Sequence, residues 1–126
     1  MLPIPAGSTA NDLPGKNYGI QQFDSTIIDN LASGSTSEYM VYGNLSGAEN
    51  AKVIIILGQI TPSLLPSTVS ITDGTDQYNI EVATTSSYKR LEFNTIPTTF
   101  LSNFAVINTT GEPFAPYGNS ITIVPL

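Results

Sequence analysis

The sequence predicts an all-β protein: an antiparallel β-sandwich or jelly roll of about eight short strands, with an extended N-terminal arm. Three observations carry this. Apolar residues recur at period two in short runs bounded by Gly, Asn, Ser, Thr and Pro. Nine prolines spread through 126 residues break most helical windows, and no ten-residue stretch keeps a 3.6-residue period. An Asp73-Gly74 pair stands between two alternating runs, which is a strong short-range hairpin signal.

Taken in order, residues 1–22 form the arm. Pro3 and Pro5 force extended backbone on Leu2 and Ile4, and Pro14 with Gly7, Gly15 and Gly19 opposes any regular element. Its apolar residues Leu2, Ile4, Leu13, Tyr18 and Ile20 are candidate contacts to another surface. Residues 23–126 form the β domain. Ser25–Leu31 and Ser37–Tyr42, rich in Ile, Tyr and Val, read as strands, and Asn44–Gly47 is a turn cluster. Ala51–Leu57 contains the longest unbroken apolar run and reads as a central strand buried on both faces. Val69–Val82 is the hairpin about Asp73-Gly74. Tyr88–Phe93, Phe104–Ile107 and Ser120–Val124 close the series, with one short helical turn near Pro97–Ser102.

Composition removes most catalytic chemistry. With no His and no Cys the chain lacks the usual general base, thiol nucleophile and thiolate metal ligands. A pair of carboxylates working on a glycoside is the one enzyme class the composition leaves open. The ten acidic residues fall mostly in turns or on polar strand positions, and Trp, the usual sugar platform, is absent. The expectation is no catalytic site, no metal and no cofactor. Asp73 and Asp76 fit a hairpin turn better than a Ca²⁺ loop, because the oxygen count Ca²⁺ needs is missing. Asn44-Leu-Ser46 and Asn108-Thr-Thr110 match the glycosylation pattern and mark turns.

Charge bears on partners. Only 4 basic residues stand against 10 acidic ones, for a net charge of −6. That argues against a phosphate-binding surface, so neither nucleic acid nor an anionic membrane is expected as partner. The N-terminus has no basic n-region and no apolar h-region, and is read as an unprocessed cytosolic start. Just 11% of residues are charged, against roughly 25% in ordinary domains, while 40% are hydrophobic. Such a surface is expected to be covered by copies of itself or by a partner. Tyr39, Tyr42, Tyr78 and Phe93 lie in strand patterns and read as core. Phe114 and Tyr117, in the Pro-Gly loop Gly111–Gly118, are the candidates for a loop contact.

The closing segments, Phe104-Ala-Val-Ile-Asn-Thr-Thr-Gly111 and Gly118-Asn-Ser-Ile-Thr-Ile-Val-Pro-Leu126, complete a short, charge-poor, Thr/Asn/Gly-rich chain with an apolar-Pro arm. In composition, length and layout it resembles the capsid decoration (cement) proteins of tailed bacteriophages. The resemblance implies a virion structural protein, made in the host cytoplasm, that binds the major capsid protein on the outer capsid surface as a homotrimer. It would make shell contact through the arm. The competing reading is a carbohydrate- or receptor-binding β-sandwich module of a fibre or adhesin. The first needs the arm; the second needs the loop aromatics.

Overall fold

The computed structural model describes residues 20–44, 46–58, 67–82 and 89–126. Among the described residues seven strands are formed: β1 (Gln21–Phe23), β2 (Asn50–Leu57), β3 (Ser67–Thr72), β4 (Gln77–Val82), β5 (Lys89–Pro97), β6 (Ala105–Thr109) and β7 (Ser120–Pro125). They make two antiparallel sheets, ordered β1-β7-β2-β5 and β4-β3-β6. The fold is a β-sandwich, as the period-two patterning predicts.

An eighth, irregular strand lies along the free side of β6. Residues 34–42 bridge to it at Thr36–Ile107 and Met40–Phe104. Between those bridges one side has three residues and the other two, so the pairing is bulged. Ser37 sits at the irregularity: its N–H donates to the Val106 carbonyl at 2.8 Å, while its Oγ accepts from the Val106 N–H at 2.9 Å. A hydroxyl thus replaces a backbone carbonyl, and this is why the segment departs from ladder geometry. Counting this segment, the first strand pairs with the last, the second with the seventh, the third with the sixth and the fourth with the fifth. That nesting is one long antiparallel hairpin wrapped into two layers, the jelly-roll order.

The core lies between the sheets. Val53, Ile55 and Leu57 of β2 meet Val69 and Ile71 of β3, with Leu91, Phe93, Val106, Ile121 and Ile123 around them. Phe23 and Phe104 pack edge to face at 5.7 Å, and Tyr78 and Phe100 at 4.9 Å.

The hairpin forms at the predicted place. Asp73 Oδ1 accepts from the N–H groups of Thr75 (2.9 Å) and Asp76 (2.7 Å), and Gly74 takes a φ of 93°. Those donors hold the Asp73 carboxyl below its ordinary pKa. The helical turn near Pro97–Ser102 is a 3-10 turn at Phe100–Ser102.

Two sequence expectations are corrected. Ser25–Leu31 is not a strand but a 3-10 turn at Ser25–Ile27 followed by further turns. Asp24 Oδ1 captures the Thr26 N–H at 3.0 Å, and Asn30 takes a left-handed φ of 61°, so the chain curls instead of extending. Ile28 still enters the core, which is why the apolar signal misled. Second, β2 is not buried on both faces: it alternates, with Ala51, Val53, Ile55 and Leu57 inside and Lys52, Ile54 and Ile56 half-exposed outside. Among the described residues the first strand is β1 at Gln21–Phe23.

Candidate contact surfaces

The outer face of the four-stranded sheet holds the least expected residues. An antiparallel sandwich ordinarily presents polar side chains there. Register places Ile54 between Glu92 and Thr122, and Ile56 between Arg90 and Ser120. Lys52 stands opposite Val124. Carrying the β1–β7 register one residue back puts Ile20 opposite Val124. Ile20 and Val124 are thus cross-strand neighbours, and Ile54 and Ile56 follow on β2, with Ile54 diagonal to Val124, so the four make an aliphatic patch that shares its face with Thr122 and Ser120; Ile20 is 57% exposed and the others partly covered. Its rim is ionic. Glu92 Oε1 lies 3.6 Å from Lys52 Nζ and 3.4 Å from Arg90 Nη2. Among the described residues every Lys and Arg belongs to β2 or β5, so the positive charge of those residues gathers on this sheet.

The loop after β6 is held by side-chain amides. Asn108 is fully buried: its Nδ2 donates to the carbonyls of Leu31 (2.7 Å) and Glu112 (2.8 Å). Its Oδ1 accepts from Thr110 N–H and Oγ1. Burial removes it as a glycan acceptor. Asn119 plays the same part at the far end of the loop, donating to Asp29 Oδ1 (2.7 Å) and the Ala115 carbonyl (2.8 Å) while accepting from the Gly58 N–H (2.8 Å). Gly58 has no alternative there: a Cβ on it would collide with the Tyr117 carbonyl oxygen.

These locks decide the fate of the two loop aromatics. Phe114 is 1% exposed and belongs to the core, a plug and not a contact. Tyr117 stands 78% exposed at the loop apex. Of the arm contacts, Ile20 falls in the aliphatic patch, while Leu2, Ile4, Leu13 and Tyr18 lie outside the described residues.

Sequence reasoning misses Ile54, Ile56 and Val124 because an unbroken apolar run hides its own alternation. The one signal is Lys52 beginning the run, a charge that marks the outward face. Gln21 is missed as well. It is fully buried, and its side chain joins the two sheets at their edge, with Nε2 toward the Val41 carbonyl (3.4 Å) and Oε1 accepting from the Gly43 N–H (2.9 Å).

Among the described residues no three His, Cys, Asp or Glu side chains gather into a metal-binding group, and no helix is long and apolar enough to cross a membrane. No family model matches the chain, and neither does any curated protein or solved structure.

Proposed function

We propose that this protein is a virion structural protein, a decoration protein that attaches to the outer surface of a tailed-phage capsid and stabilises it. It acts by binding and not by catalysis. The observation that carries the reading is the aliphatic patch on the outer face of sheet β1-β7-β2-β5, where a solvated sandwich carries polar residues. The jelly-roll order occurs in viral capsid and lectin domains alike and does not choose between them. The patch supports the capsid reading, because aliphatic side chains ringed by an ion-pair network suit a protein surface better than a sugar.

The patch is continuous with the chain that leads into β1, so Ile20 is its near end. The arm residues Leu2, Ile4, Leu13 and Tyr18, proposed from the sequence as further contacts to the major capsid protein or a neighbouring copy, lie outside the described residues. Three copies around one axis give each weak contact the avidity of the others.

The test is co-sedimentation of the purified chain with expanded capsid shells. The full chain pellets with shells, and Ile54→Glu and Ile56→Glu, which add a charge to the outer face and leave the core untouched, stay in the supernatant. Equal pelleting of the variants would reject the patch as the shell contact. Failure of the wild-type chain to pellet would reject the decoration role.

A further inference from the structure

The outer face of sheet β4-β3-β6 has the opposite character. Register sets Ser70 of β3 between Asn79 of β4 and Ile107 of β6, and Thr72 beside Gln77. Ser70 is 1% exposed although it points to the outer face, because the side chains around it close over it. Its Oγ donates to Asn79 Oδ1 at 2.6 Å. Gln77 Nε2 donates to Asn79 Oδ1 at 2.7 Å and to Ser70 Oγ at 3.2 Å. These three bonds lock the two amides relative to one another, so that whichever way the pair is turned one acceptor and one donor point away from the network. They use both N–H hydrogens of Gln77 and the carbonyl oxygen of Asn79. An acceptor, Gln77 Oε1, and a two-hydrogen donor, Asn79 Nδ2, are left facing outward at positions two residues apart on one strand face.

An aromatic ring stands at the same end of the sheet. Tyr39, rooted in the irregular strand beside β6, is 47% exposed. Its hydroxyl reaches the β3–β4 turn, 3.4 Å from where a Cβ on Gly74 would lie. That turn leads directly into Gln77. The surroundings are acidic: Asp73 and Asp76 at the turn, Glu81 further along β4 and Glu38 beside Tyr39. Among the described residues no Lys or Arg lies on this sheet.

We infer that this face binds a neutral glycan. Sugar hydroxyls both donate and accept, which suits an oriented amide acceptor and donor side by side. The C–H face of a pyranose ring suits the half-exposed Tyr39 ring. The amides are held by Ser70 before any ligand arrives, so little side-chain freedom remains to be lost on binding. The acidic rim without a cation repels sulfated and uronate polymers. The face lies on the opposite side of the sandwich from Ile54 and Ile56, so a copy attached to a shell through that patch turns its glycan face outward. The two contacts are separable.

Affinity electrophoresis of the full chain tests this, in native gels containing hydroxyethylcellulose, laminarin, galactomannan or dextran, and in a parallel gel with heparin. At least one neutral polymer retards the protein relative to a non-binding reference, and heparin does not. Tyr39→Ala and Asn79→Ala each weaken the retardation by about threefold to tenfold. Tyr39→Phe keeps most of it, and Gln77→Glu, exposed and isosteric, abolishes it. Thermal melts confirm that each variant is folded; should Asn79→Ala unfold, Gln77→Glu and Tyr39→Ala carry the test. Absence of retardation in every neutral polymer overturns the inference, as does undiminished retardation of Tyr39→Ala and Gln77→Glu. Retardation by heparin alone would mark a different, electrostatic surface and overturns it equally.

Discussion

Single amides do much to hold this molecule together, because so few charges are present to do it. Asn108 satisfies two carbonyls and two Thr110 donors in a site that water does not reach. Asn108→Ala leaves those groups buried and unpaired, and is expected to cost about 2–4 kcal/mol in urea unfolding. Asn44→Ala, near the surface, should cost under about 1 kcal/mol. Asp73 behaves differently because its carboxylate is exposed. Its pKa is depressed by the Asp76 and Thr75 N–H groups. The unfolded chain therefore binds its proton first as pH falls, so the stabilisation is full above the ordinary carboxylate value and is lost as pH drops through the folded value. Melting temperature of the wild type against Asp73→Asn, taken from pH 6 to pH 2, checks this. The gap between them should narrow below pH 4, and a constant gap would place the stabilisation in geometry alone.

At the scale of elements, the two sheets are sealed at one edge by a side chain. Gln21 of the three-residue β1 reaches across to the strand around residues 41–43 and covers backbone groups that an open edge would expose. This separates two truncations. Deleting residues 1–19 should leave the melting temperature within a few degrees of wild type. Deleting residues 1–22 removes Gln21 and most of β1 and should destabilise by about 2–3 kcal/mol. If both deletions melt alike, β1 contributes nothing to the sheet. At the opposite edge, β5 is bulged at Asn94 and Thr95, two residues facing Lys52 alone. A bulge there twists the free edge and discourages pairing with another chain.

For the whole molecule, the distribution of character matters more than any residue. One outer face carries an aliphatic patch with an ion-paired rim; the other is amide-rich with an acidic rim. Light scattering at tens of micromolar should show an oligomer, expected as a trimer of the 13.4 kDa chain. Ile54→Glu should shift it toward monomer if the patch joins copies, and leave it unchanged if the patch meets only the shell. A wild-type chain that stays monomeric would assign the patch wholly to another protein.

What was legible in the sequence is what local physics controls. Alternation around Asp73-Gly74 encodes its own hairpin, since turn residues and period two act over a few positions. Prolines and the missing 3.6 period likewise exclude helices without reference to the fold. The absence of His and Cys limits the chemistry whatever shape the chain takes. What needed the tertiary structure is what depends on partners far apart in the chain. The run Val53–Leu57 looks the same whether covered on one side or two, and only the sheet order shows Ile54 and Ile56 facing outward. Phe114 and Tyr117, three positions apart in one loop, part ways because Asn108 and Asn119 clamp that loop to Leu31, Asp29 and Gly58. The nesting of first strand with last is set by burial summed over both sheets, which no local window contains.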